Sequence, residues 1–344
     1  MKFDVTVGNP PYQESAKGNS TKDTPVYPYF YELAEKISSE YCLISPARFL
    51  FNAGSTDKKW NQKMLADKHL KVCLYEQNSA KVFAGTDITG GVAVLYRNKN
   101  REFDKIGVFT SFEELNSIVQ KVSKSTTTTL DEIVSNRGQY RYSDKIYIDY
   151  PIEMKSISDR RIASNAFSKL PLLFTDFKPD DGLEYIQIYG RLNNERIYKW
   201  FKRDYLSEPD TLKKYKIILP KANGSGAIGE VLSTPLIGEP LIGEPLIGFT
   251  ETFISIGAFD DELEANNALK YVKSKFARTM LGILKITQDN PKEKWEKVPL
   301  QDFTSYSDID WSKSISEIDQ QLYKKYGLNQ TEIDFIETKV KPMD

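Results

Sequence analysis

Phe3-Asp4-Val5-Thr6-Val7-Gly8-Asn9-Pro10-Pro11-Tyr12 is the stretch that decides how the first hundred residues fold. Phe3 to Val7 alternates and is rich in β-formers, so it predicts a short strand. Gly8 and the Pro10-Pro11 pair stop that strand in a turn. Working outward, Asp23 to Ser38 carries Tyr29, Phe30, Leu33, Ala34 and Ile37 at helical spacing. Tyr41-Cys42-Leu43-Ile44 reads as a buried strand, stopped by Ser45-Pro46. Asp57 to Asp67 predicts a second helix, and Leu70 to Tyr75 a third strand. A fourth strand, Gly91 to Tyr96, follows the Gly90-Gly91 pair closely. This alternation of strands and helices predicts an α/β unit with a parallel sheet. Only a loop separates the last two strands. It is too short for a helical crossover, so they are expected to pair antiparallel at an edge.

The 344 residues are enough for two domains, each with its own core. With 40% hydrophobic and 28% charged residues, the chain is neither disordered nor a membrane protein by composition. A formal net charge of −1 excludes a uniformly basic nucleic-acid coat, so any such surface must be a local patch. A lone histidine, His69, excludes a His-rich metal site. Cys42 and Cys73 sit in apolar runs and read as buried thiols. No apolar run is long enough to span a bilayer, and the N-terminus lacks the apolar core of a signal peptide. A cytoplasmic location is the expectation.

Composition shifts after residue 120. Lys121 to Thr129 is polar and reads as a surface link. The expected division is therefore 1–120, a link over 121–130, and a second domain over 131–344. Tyr185 to Tyr189, Tyr215 to Leu219 and Phe253 to Ile256 read as strands. Asp260 to Leu284, Ser316 to Lys325 and Gln330 to Lys339 read as helices, making this half α+β. Pro235-Leu236-Ile237-Gly238-Glu239 recurs at Pro240 to Glu244, and again at Pro245 to Gly248. Proline and glycine at fixed spacing favour an extended, turn-punctuated surface loop. A length-variable element that tunes DNA contact is the sharper alternative.

Asn-Pro-Pro-Tyr directly after a strand suits one chemistry. The exocyclic amine of adenine is a weak nucleophile, because its lone pair is delocalised into the ring. Two acceptors at its hydrogens favour a pyramidal nitrogen and free that lone pair. The Asn9 side-chain oxygen and the Pro10 carbonyl can form such a pair, and the prolines stiffen the loop. Tyr12 can stack on the base, which must leave the duplex to be reached. A plain strand-end turn is the alternative for the four residues taken alone.

The flanking sequence resembles the amino-methylating DNA methyltransferases, in particular the adenine-specific methylases of type IIG-like restriction–modification systems. Phe3 to Tyr12 is similar to their motif IV. Tyr29-Phe30-Tyr31-Glu32-Leu33-Ala34 resembles the start of motif V, and Leu43 to Leu50 resembles motif VI. Ala80-Lys81-Val82-Phe83 and Asp87 to Ala93 resemble motifs VII and VIII. The resemblance implies the second half of a Rossmann-like methyltransferase sheet, followed by an α+β target-recognition domain. It implies S-adenosylmethionine as cofactor, with Asn9 and Phe30 on the cofactor side. It implies Asn9, Pro10, Pro11 and Tyr12 as the catalytic loop, and Tyr12 and Phe83 stacking on the flipped base. The family's glycine-rich cofactor motif precedes motif IV. An upstream segment or a separate chain is therefore expected to carry it.

The second half extends the resemblance to the recognition region, through Lys216 to Gly226, Thr250 to Phe253, Lys275 to Arg278, Lys285 to Asp289 and Leu322 to Leu328. From Tyr185 to Ser225, nine basic residues stand against four acidic ones, with Tyr198, Trp200 and Tyr205 interleaved. That is the pattern of a phosphate-contacting surface, and an ordinary solvated face is its alternative. Lys213, Lys214, Lys221, Asn223 and Ser225 are the expected contacts to double-stranded DNA. A DNA-specificity module with a vestigial catalytic loop is the second functional reading. Pro179-Asp180 and Pro209-Asp210 lack a partner carboxylate cluster, so nuclease chemistry is not expected.

Overall fold

The computed structural model describes residues 3–14, 24–51, 55–88, 90–223, 228, 236–285 and 288–343. The chain divides into two compact units, Met1–Gln120 and Lys121–Asp344. The polar segment after Gln120 is not a loop throughout. Its first residues complete a helix over Glu113–Ser125.

In the first unit, strands β1 (Phe3–Gly8), β2 (Ser38–Pro46), β3 (Leu70–Glu76) and β4 (Val92–Asn98) form one sheet in the order β1-β2-β4-β3. β1 and β2 are parallel, with Gly8 beside Leu43. β4 runs antiparallel to both β2 and β3, as the short connection requires. Helices α1 (Tyr27–Ile37) and α2 (Lys58–Ala66) contribute to the core of this unit. Asp57 caps α2 by accepting from the backbone of Lys59 and Trp60. The core is an aromatic cluster of Tyr27, Tyr31, Tyr41, Phe49 and Trp60, with Phe49 and Trp60 at 4.9 Å. Full burial of each such ring contributes roughly 1.5–3 kcal/mol.

Two expectations need correction here. The face of α1 turned to the core is Tyr27, Tyr31 and Ala34, while Tyr29, Phe30 and Leu33 are exposed. The helix is apolar on two faces, so spacing alone could not say which one is inward. The thiols of Cys42 and Cys73 are both free, and neither is fully buried. Cys42 alternates with the buried Tyr41 and Leu43, so it points to the opposite face of β2. Cys73 falls at a register shift of the edge strand β3.

The second unit contains two three-stranded sheets. β5 (Tyr185–Leu192) and β6 (Glu195–Lys202) form a hairpin. β7 (Tyr215–Pro220) lies between β8 (Leu241–Gly243) and β10 (Phe253–Phe259). β9 (Ile247–Phe249) adds parallel to β5. The repeated Pro-Leu-Ile-Gly stretch is therefore not a simple surface loop. Its second copy supplies β8 to one sheet, and its third copy enters β9 of the other. In the first copy, Leu236 and Ile237 are buried.

The expected long helix over Asp260 to Leu284 is two helices, Glu262–Lys273 and Lys275–Gly282. Ser274 breaks it with an extended backbone, and its side chain caps the second helix at Ala277. Asp319 accepts from the Lys275 and Phe276 amides, which fixes the break. Helices Ile315–Lys325 and Gln330–Lys339 follow, separated at Gly327 with φ +62°.

Candidate functional site

The C-terminal ends of β1, β2 and β3 lie at one edge of the first sheet, because β4 runs antiparallel to β2 and β3 while β1 runs parallel to β2. Three loops therefore emerge together there, after Gly8, after Pro46 and after Glu76. In α/β sheets this is the edge at which ligands bind. The loops interlock. The Ala47 amide donates to the Gly91 carbonyl at 3.0 Å. Gly90 and Gly91 have φ of +87° and +76°. A Cβ on Gly91 would lie 2.3 Å from the Glu76 carbonyl, and one on Gly90 2.7 Å from Arg48 Cγ. Only glycine fits both positions.

In the first loop, Asn9 and Pro11 are exposed, Pro10 is buried and Tyr12 is half-buried. Pro10 thus anchors the loop while the Asn9 side chain faces solvent. The Tyr12 carbonyl accepts from the Val26 amide at 3.0 Å, which ties the loop to the start of α1. The Tyr12 hydroxyl is buried and has no hydrogen-bond partner among the described residues. Burial pushes its pKa up. The neighbouring Asn9 amide pulls it part of the way back, without reaching hydrogen-bond geometry. Deeper in, the Tyr31 and Ser45 hydroxyls share a hydrogen bond of 2.9 Å. Burial holds the Tyr27 hydroxyl at about 12.

Phe30 lies one turn along α1 from the Tyr12 contact, with 37% of its surface exposed. Phe83 is half-buried in the third loop, where its carbonyl accepts from Thr86. The structure thus gathers Asn9, Pro10, Pro11 and Tyr12 beside α1, and places Phe83 in a loop at the same sheet edge.

Of the five expected DNA contacts four are described, and these four are spread along β7 and beyond its two ends. Lys213 is exposed and Lys214 pairs with Asp260, both before the start of β7. Lys221 follows the far end of β7, roughly 20 Å away at the rise of a strand. Asn223 is half-buried, its amide donating to the Gln288 carbonyl at 2.9 Å. Ser225 lies outside the described residues.

Beside Lys221 stand two arginines that local sequence reading missed. Arg137 and Arg161 both pair with the buried Glu251, from positions 114 and 90 residues away. Burial and the charges of Arg137 and Arg161 lower the pKa of Lys221. Many other basic residues of the Tyr185 to Ser225 stretch are already held. Lys199 pairs with Asp176, and Arg203 with Glu208 and Glu184. Lys216 is buried and donates to three backbone carbonyls.

The first 83 residues, which carry the Asn9–Tyr12 loop and the motif-like segments as far as Phe83, match the model of the Eco57I restriction-modification methylase family. A curated relative described as an uncharacterized adenine-specific methylase, from Mycoplasma pneumoniae (strain ATCC 29342 / M129 / Subtype 1), is 26% identical over 163 residues. That match covers 46% of this chain and 38% of the relative, so the likeness spans well under half of the relative's length. Among solved structures, the type IIG restriction endonuclease BpuSI is 9% identical, covering 93% of this chain and 48% of its own, with a TM-score of 0.30. The type IIL restriction-modification enzyme MmeI, solved in complex with DNA, is 10% identical, covering 98% and 56%, with a TM-score of 0.32. Both TM-scores lie below the level at which a shared fold is established. Among the described residues no helix is long and apolar enough to cross a membrane, and no cluster of three or more metal-ligating side chains occurs.

Proposed function

We propose that this chain is the base-holding and DNA-recognising part of an adenine-specific DNA methyltransferase of a restriction–modification system. The observation that carries this reading is the exposed Asn9 side chain on a buried-proline anchor, at the sheet edge where three loops converge, within the segment that matches the methylase family. The Asn9 side-chain oxygen and the Pro10 carbonyl accept the two hydrogens of a flipped adenine's amine. That leaves the nitrogen lone pair directed outward. Tyr12 presents its ring to the base, and Phe83 supplies the opposing face. Pre-set acceptors of this kind act without reorganising during the reaction.

S-adenosylmethionine supplies the methyl group when bound. The residues present fit one wall of its site: Phe30 offers an exposed ring one turn along α1 from the Val26 amide that holds Tyr12, and Asn9 is exposed in the catalytic loop. In this reading the remaining wall includes a glycine-rich loop, which none of the described residues at this sheet edge supplies. β1 is an edge strand with Phe3, Val5 and Val7 exposed, and this supports strand addition there. In this reading β1 to β4 are the latter half of a Rossmann-like sheet, and the second unit is the target-recognition domain.

The test is methylation of duplex DNA by this chain together with its cofactor-binding half. Asn9→Ala should abolish adenine methylation while duplex binding persists. Undiminished methylation in that variant would sink the assignment. Absence of methylation even with unaltered Asn9, with binding retained, would instead favour a specificity module with a vestigial loop.

A further inference from the structure

We propose that the tip of the β5–β6 hairpin is the element of this chain that enters a groove of duplex DNA, with Arg191 and Arg196 on phosphates and Tyr198 as a flat contact beside them. This inference rests on the methyltransferase reading, and it assigns a place on the molecule to the DNA partner.

The argument begins with register. Arg191 lies directly opposite Arg196, and Tyr189 opposite Tyr198 one step further in. Opposed residues of an antiparallel pair share a face, as do alternate residues along a strand. Arg191, Arg196 and Tyr198 therefore point to one side, and all three are exposed. Between the strands stand only Asn193 and Asn194, with φ of 50° and 68°. A two-residue turn with both φ positive is the tightest hairpin closure. Nothing from the turn itself shields the tip.

Two like charges placed directly opposite each other destabilise a hairpin. Among the described residues neither arginine has a carboxylate partner. Arg191 reaches only the carbonyl and side-chain oxygens of Asn194, at 3.4 Å. Arg196 gives one hydrogen bond, of 2.9 Å, to the Glu239 carbonyl. Each guanidinium has five N–H donors, so most of them remain unused. Lys199, Arg203 and Lys214 in the same stretch each have a carboxylate instead. The cation pair at the tip is thus a local cost that a bound anion relieves.

The tip is also firmly seated. Tyr189 is buried, with its ring 4.8 Å from Tyr198 and 4.6 Å from Phe253. The Arg196 guanidinium sits 5.9 Å from the Phe253 ring. Gly190 has no room for a side chain, since a Cβ there would lie 2.5 Å from Phe167. A two-stranded ribbon of this kind fits the major groove of B-form DNA.

Further along, Lys221 follows the Pro220 that pairs with Phe253, and the neighbouring Arg137 and Arg161 are held by Glu251. The opposed arginines of the tip therefore carry the assignment.

The test uses the full chain and a mixed-sequence DNA duplex, with binding followed by fluorescence anisotropy over a series of salt concentrations. Arg191→Gln with Arg196→Gln should weaken binding and reduce the salt slope by about two, since each phosphate contact contributes about 0.9. Lysine at both positions should keep the slope. Tyr198→Ala should weaken binding with the slope unchanged. The thermal midpoint of the glutamine variant should be equal to or above that of the unaltered chain, which separates lost contact from lost folding. If the unaltered chain binds the duplex and the glutamine variant binds with the same affinity and slope, the hairpin assignment is overturned and the methyltransferase reading stands. If the unaltered chain does not bind the duplex at any salt, both fall.

Discussion

β1 and β7 are both six-residue strands rich in β-formers, yet they end in opposite environments. β7 lies between β8 and β10, and its Ile217, Ile218 and Leu219 are at most 1% exposed. β1 closes one side of its sheet, and its Phe3, Val5 and Val7 are 49%, 49% and 75% exposed. Intrinsic strand preference is similar in the two, so neighbours make the difference. β7 receives a neighbour on each edge from within this chain. β1 receives one, on β2, and on its other edge none of the described residues pairs. Parallel strands are rarely left bare, because an open ladder invites pairing. The bare strand is also the one that leads into Asn9. The comparison teaches that β7 has both edges paired within its own unit, whereas β1, among the described residues, has one edge paired and one open.

The contrast breaks most visibly if β7 can be hollowed out cheaply. Ile218→Ala should destabilise the second unit by about 3–4 kcal/mol, the range for a large side chain removed from a packed interior. Urea unfolding followed by tryptophan fluorescence measures it. A loss below about 1 kcal/mol would mean that β7 is not the closed strand described here.

Lys216 on the same strand gives a smaller and pH-dependent effect. Its Nζ donates to the carbonyls of Thr211, Lys214 and Glu244 at 3.0–3.2 Å. Burial lowers its pKa from 10.5 to about 8. The unfolded chain therefore holds that proton more tightly than the folded one between these values. The cost of the buried charge is fully present below pH 8 and is relieved as pH rises from about 8 to 10.5. Stability from this group should increase across that window, by an amount on the order of 2–3 kcal/mol. Lys216→Met removes the titrating group, so the difference between the two proteins should change with pH in that range. A constant difference from pH 8 to 10 would show that the ammonium is already solvated.

The same contrast explains what the sequence could and could not say. The strands of the first unit, helix α2 and the Asn9–Tyr12 turn were legible, because strand periodicity and proline stops are local signals. The inward face of α1 was not, because Tyr29, Phe30 and Leu33 match the helical spacing as well as Tyr27, Tyr31 and Ala34 do. Only the position of β2 chooses between them. The basic stretch is legible only in part, for a related reason. Its charges were balanced against acids nearby in sequence, while Asp176 and Asp260, which hold Lys199 and Lys214, come from outside it. Arg137 and Arg161 reach Lys221 and Glu251 only through the fold. The break at Ser274 was invisible because apolar residues continue through it, and the capping Asp319 lies far along the chain.

The smallest effect is the one that sharpens the comparison furthest. Val7 sits on β1 with 75% of its surface exposed. Val7→Lys should change the unfolding free energy of this chain by no more than about 0.5 kcal/mol, as for other exposed positions. A lysine placed there is nonetheless a poor neighbour for an added strand, since charged side chains are a common guard on open sheet edges. If a cofactor-binding half docks along β1, the variant should lose co-purification with that half, and methylation by the mixture should fall while duplex binding by this chain is unchanged. A stability loss above about 2 kcal/mol would show that Val7 is already covered within this chain. Intact stability with intact co-purification would place the docking surface away from β1. The exposed face of α1, with Tyr29, Phe30 and Leu33, would then be the next apolar surface to test.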